Sequence, residues 1–144
     1  MRVLFDTSVL VAGIVAAHPD HERALAWLQR ARTASLEYFV AAHSLAELYA
    51  VLSSLPTSPR IAPGVAALLI EENVRKPARI VGLGATDYAA VVDTVAGLGL
   101  AGGVVYDALI ARAAQKAKVD RLLTLNAGDF LRVWPEGREV VVVP

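Results

Sequence analysis

The chain has 144 residues, 56% of them apolar, with 14 basic side chains against 14 acidic ones and no cysteine. That length suits one domain with a sizeable core, and the missing cysteines exclude disulfides and thiolate metal sites. A net charge of zero gives no broad electrostatic footprint for a polyanion.

Val3-Leu4-Phe5 reads as a short buried strand ending at Asp6, with a helix over residues 8–17. A turn at His18-Pro19-Asp20 leads to a helix over 21–34, with Asp20 as its expected N-cap and an apolar stripe through Ala24, Trp27, Leu28 and Ala31. A strand over 38–42 precedes a helix over 44–55 that stops at Pro56, and Pro56–Arg60 is the clearest loop. A helix over 62–74 and a strand over 79–83 follow, then a helix over 86–97 capped by Thr86. The remaining pattern is a helix over 104–118, a strand over 121–125 and a last strand over 140–143. Strands separated by helices require crossover connections, so the expected architecture is a single α/β domain over residues 1–144, a central parallel sheet with helices on both faces. No apolar run nears the ~18 residues of a membrane span. The start of the chain lacks the pattern of a signal peptide, so a cytoplasmic location is expected.

Four acids fall near strand-to-helix junctions: Asp6 after the first strand, Glu47 in the third helix, Asp107 at the opening of a long helix, and Asp129 just past the strand at Leu122–Leu125. Each has a structural alternative. Asp6 is placed to cap a helix, and Ser44-Leu45-Ala46-Glu47 matches a capping box. Asp107 is favoured in a first turn by the helix dipole, and Asp129 is placed to cap residues 130–133, with Asn126 able to form an Asx-turn. Together the acids carry a second meaning, because open α/β sheets keep their sites beyond the carboxyl ends of the strands. Three or four carboxylates crowded there repel one another without a cation. Magnesium takes hard oxygen ligands and keeps several waters, so a few acids suffice. Setting the four acids aside leaves 14 bases against 10 acids, a mildly basic surround for an acidic pocket.

At these residues the chain resembles the PIN-domain nucleases, in particular the toxins of VapBC-type toxin–antitoxin pairs. The matching pieces are Val3-Leu4-Phe5-Asp6-Thr7-Ser8, Ser44-Leu45-Ala46-Glu47-Leu48, Gly102-Gly103 through Ala111, and Leu123-Thr124-Leu125-Asn126-Ala127-Gly128-Asp129-Phe130. Their order and spacing cover the chain from Met1 to about Val133. The resemblance implies a three-layer PIN-like fold and an endoribonuclease dependent on Mg²⁺ or Mn²⁺. Asp6, Glu47 and Asp107 would be its core acids, with the fourth position open between Asp129 and Asn126. Many relatives carry Arg where this chain has Leu125. The resemblance also implies an RNA substrate, a small antitoxin as partner and a homodimer, with no membrane association. The alternatives are a catalytically silent PIN-like module that binds RNA or protein, and a phospho-acceptor receiver domain. The latter is disfavoured because Phe5 precedes Asp6 in place of a second acid, and residues 121–125 contain no lysine.

Isolated features carry less. His18 and His21 have no further His or Cys nearby to complete a metal site. Gly82-Leu83-Gly84 lacks both the dinucleotide fingerprint and the P-loop lysine. Arg75, Lys76 and Arg79 form a basic cluster that reads first as a solvated helix end.

Overall fold

The computed structural model describes residues 1–144. Five strands, β1 (Arg2–Phe5), β2 (Glu37–Ala41), β3 (Arg79–Val81), β4 (Arg121–Leu123) and β5 (Val141–Val142), form one sheet in the order β3-β2-β1-β4-β5. Every pairing is parallel, with Leu4 opposite both Phe39 and Leu122 in register. The helices are α1 (Thr7–Ile14), α2 (His21–Arg32), α3 (Ala42–Ser54), α4 (Pro63–Ile70), α5 (Ala85–Gly97), α6 (Val104–Ala117) and α7 (Ala127–Val133). This is the three-layer α/β arrangement expected from the sequence.

The period of two along β1 sorts the interior into layers. Val3 and Phe5 face a core with Tyr38, Val40, Leu10, Leu28, Leu48 and Leu52, which belongs to α1–α4. Leu4 faces the opposite core with Phe39, Leu122, Ile110 and Phe130, which belongs to α5–α7. Each core holds 17 buried residues, so β1 is covered equally on both faces, which is why it reads as an unbroken apolar run.

This division positions the site. The chain leaves β1 toward one helical layer and leaves β4, its neighbour, toward the other. The crevice that opens between these exits lies at the carboxyl ends of β1 and β4, the switch point of the sheet. α6 enters β4 at the opposite edge, so its own N-terminal turn, with Asp107, lies at the carboxyl edge.

Several local expectations change. α3 begins at Ala42, directly after β2, and Ser44 is buried inside it, so the Ser44–Glu47 capping box does not form. The helix starts from the extended Ala41 at the end of β2 without a side-chain cap. α5 begins after Gly84, whose amide donates to Asp87 at 3.0 Å, so Asp87 and not Thr86 completes its first turn. Asp20 precedes α2 without capping it, because its carboxylate is bound to Arg23. Asp129 lies inside α7, which starts at Ala127, and makes no cap bond. The helix expected over 62–74 ends its α-helical part at Ile70 and continues as a π-helical turn, Glu71–Arg75. A 3₁₀ turn at Pro135–Glu139 precedes β5, in a stretch where the sequence pattern predicts no helical element. No helix is long and apolar enough to cross a membrane.

Phe130, on the inner face of α7, is fully buried against Leu4 and Ile110 and anchors the helix that follows β4. Phe130→Ala should cost about 3–5 kcal/mol in urea unfolding, as large-to-small core changes do. Leu68→Ala, on the 59% exposed outer face of α4, should stay within about 0.5 kcal/mol of the parent.

Candidate active site

The cleft at the switch point encloses about 530 Å³, and Asp6, Glu47 and Asp107 line it together with Thr7, Ser8, His18 and Asn126. Asp6 is 3% exposed and held from two sides. Its Oδ2 accepts from Ser8 Oγ at 2.6 Å, from Thr124 Oγ1 at 2.9 Å and from the Ser8 amide at 3.4 Å. Asp6 therefore does cap α1, as its structural reading required, yet it still lines the cleft. All three of those bonds converge on one oxygen, which fixes the plane of the carboxylate and aims the other.

Glu47 projects from the second turn of α3. Its Oε1 lies 3.0 Å from Nε2 of His43, one turn earlier, but the angle is wrong for a hydrogen bond, and both buried atoms are left without a partner. Beneath it, Thr7 Oγ1 donates to Ser44 Oγ at 3.0 Å, tying α1 to α3. Asp107 comes from the other helical layer, in the first turn of α6.

Electrostatics couples the acids. Burial raises Asp6 above the usual carboxylate range, against the pull of Ser8 and Thr124. Burial also raises Glu47, opposed by His43 and reinforced by Asp6. Asp107 is pushed up to about 7, first by burial and then by repulsion from Asp6, Asp129 and Glu47. Asp129 thus acts on the site through its charge, although its half-exposed side chain does not line the cleft and lies 3.8 Å from Arg132. Asn126 is on the wall, as is Leu125.

The donor set suits a hard divalent cation. It offers carboxylate oxygens from both layers, one of them buried without a hydrogen bond, and a mutual repulsion that a cation would relieve. No three acidic or histidine side chains close tightly enough to enclose an ion by themselves. An ion that keeps several waters does not need such a cage.

Sequence reasoning missed the hydroxyl frame of Thr7, Ser8, Ser44 and Thr124, and the contact of His43 with Glu47. The available signal was a Ser or Thr at the carboxyl end of β1 and of β4, next to each acidic segment. His18 reaches the cleft wall with its Nδ1 accepting from the Asp20 amide at 3.0 Å, while His21 Nδ1 lies 2.8 Å from the Ala12 carbonyl. The two imidazoles therefore have separate tasks. Arg75 and Lys76 are paired with Glu71 and Glu72 on their own helical turn, and Arg79 with Glu37 at the sheet edge opposite the cleft.

The PIN domain family model matches residues 3–133. Ribonuclease VapC27 of Mycobacterium tuberculosis is 36% identical over 115 residues, covering 80% of this chain and 78% of the relative. Ribonuclease VapC40 of the same organism is 38% identical over 120 residues, covering 83% and 82%. Among solved structures, VapBC2 from Rickettsia felis, bound to a DNA fragment from its promoter, superposes with a TM-score of 0.68 at 18% identity, covering 100% of this chain and 99% of that one. FitAcB from Neisseria gonorrhoeae gives 0.67 at 22% identity, covering 96% and 95%. At such identities these two structures speak for the fold.

The raised Asp107 carries a sign. An unfolded aspartate titrates near pH 3.9, roughly. Between there and about 7 the folded chain holds the extra proton, so stability falls as pH rises through that window. In EDTA the protein should melt at a higher temperature at pH 5 than at pH 8, and Asp107→Asn should remove most of the difference. A divalent cation should raise the melting temperature more at pH 8 than at pH 5. The opposite trend in thermal denaturation would mean that burial and the neighbouring acids do not raise Asp107 as described.

Proposed function

Because the chain belongs to the PIN-domain family, we propose that it is a divalent-metal-dependent endoribonuclease, the toxin of a VapBC-type toxin–antitoxin pair. The observation that carries this reading is the convergence of Asp6, Glu47 and Asp107 from three separate elements in one cleft, with Asp129 adding its charge from outside. Substrate is RNA, and the cation is Mg²⁺ or Mn²⁺, both of which accept an oxygen-rich site.

Asp6 and Asp107 hold the ion. Asp6 contributes the oxygen that Ser8 and Thr124 leave open, and its orientation is fixed before anything binds. Glu47 completes the set directly or through water, or orients the attacking water. Asp129 works one step removed, holding a water near the site, while Asn126 orients the loop after β4. When bound, the cation activates water and neutralises charge on the phosphate, so a histidine base is not required.

The partner is a small antitoxin that lies across the cleft and silences it. A basic side chain set among the acids would supply the complementarity, since an anionic pocket of this kind favours an opposite charge. The chain forms a homodimer through its early helices, a reading supported by the apolar content and by the family.

Purified protein should cleave RNA with Mg²⁺ or Mn²⁺ and not with EDTA. Asp6→Asn should abolish cleavage while circular dichroism stays unchanged. Asp129→Asn should weaken metal dependence about tenfold, as changes to groups behind the ligands often do. Cleavage that survives EDTA would place the chemistry elsewhere. Absence of cleavage with metal binding intact would favour a silent PIN-like binding module.

Growth arrest on induced expression, relieved by co-expressing the adjacent small reading frame, is the outcome expected of a toxin. Lack of arrest would remove the toxin role and leave the nuclease chemistry standing.

A further inference from the structure

Two aromatic rings are carried by the helices that deliver acids to the cleft, and only one of them, His43, touches an acid. Tyr106 immediately precedes Asp107 in the first turn of α6, and His43 lies one turn before Glu47 on α3. Their rings are stacked, with centroids 5.1 Å apart and planes within 7° of parallel. The imidazole is partly buried, with Nε2 against Glu47, whereas Tyr106 is 50% exposed. Each ring therefore belongs to a helix that delivers one acid to the site, one helix from each layer.

Half of a tyrosine left in water contributes little to the core. Tyr49 and Tyr88 are exposed to similar extents, 42% and 46%, but neither stacks on another ring or adjoins a site acid. Only Tyr106 combines an open surface, a backing ring and a place next to Asp107. Its two side-chain torsions are already restrained by the stack, so little further entropy is lost when a flat ligand settles on it. The flat groups nearest to a phosphodiester in single-stranded RNA are its bases, and every base has a π-face to offer.

Resting on the ribonuclease reading above, we propose that Tyr106, backed by His43, is a stacking platform for a nucleobase beside the phosphodiester at the acidic cleft. The platform favours single strands, whose bases are free to unstack, over duplex RNA. It tolerates any base, because stacking carries no hydrogen-bond code. His43 lies against Glu47 on α3 and supports one face of Tyr106 on α6, so the platform is built by the two helices that carry Glu47 and Asp107.

The test uses binding without cleavage. In an Asp6→Asn background, fluorescence anisotropy compares 12-residue oligoadenylate, oligouridylate and an abasic ribose-phosphate oligomer of equal length. The protein carrying Tyr106 should hold oligoadenylate about 5- to 150-fold more tightly than the abasic oligomer, the span expected for one stacked base. Tyr106→Ala should remove that preference and leave abasic binding unchanged, whereas Tyr106→Phe should keep it. His43→Ala should reduce the preference by loosening the backing ring. An equal preference with and without the Tyr106→Ala substitution, or no preference for bases in either protein, would overturn the platform. If the parent chain cleaves RNA under those outcomes, the nuclease reading survives. No binding of any oligomer together with no cleavage would sink both.

Discussion

A single buried carboxylate sits where two neighbouring parallel strands part company. Asp6 caps the helix leaving β1, accepts a hydroxyl from Thr124 at the end of β4, and lines the cleft between them. Burying an anion is costly unless it is hydrogen-bonded, and three donors converge on one of its oxygens to meet that cost. The strand ends, the start of α1 and the floor of the cleft are thereby fixed by the same group. Ser8 extends the arrangement, since its hydroxyl also receives the Leu125 amide at 3.0 Å and so ties down the loop after β4.

The other acids arrive from opposite sides of the sheet. Glu47 is carried by the layer packed on Val3 and Phe5, and Asp107 by the layer packed on Leu4. Their separation is set by how the two cores seat against β1 and not by any local motif. α6 is further restrained by Asp87 on α5, which binds Arg112 at 3.0 Å and Lys116 at 3.1 Å and is itself held down to about 2, chiefly by the Gly84 amide and then by those two cations. Those cations are paired with Asp87, and neither lines the cleft.

Much of this was legible in the residues. The apolar run Val3–Phe5 and the alternation of strands and helices give a parallel sheet, and the positions of Asp6, Asp107 and Asp129 after a strand or in a first turn give their edge. What escaped was whatever depended on side chains meeting across the sheet. The start of α3 is marked by alanines that carry no punctuation, so Ser44 has the pattern of a cap when it is a buried partner of Thr7. The role of Thr124 needs the β1–β4 register, which puts Phe5 opposite Leu123, and no local pattern encodes that pairing. Asp129 and Asn126 are close enough in sequence to compete for one position. The turn into α7 separates them, placing Asn126 on the cleft wall and Asp129 outside it.

The order of the strands also governs how this chain behaves among many copies of itself. The longest strands, β1 and β2, are covered on both sides by neighbours, and the sheet ends in β3 with three residues and β5 with two. An exposed strand edge is a template for a foreign strand, and its hazard grows with its length and flatness. Borders this short present few unpaired amides and carbonyls, and Arg79 brings a charge to one of them. The folded chain, although more than half apolar, therefore offers little edge along which a foreign strand could extend the sheet.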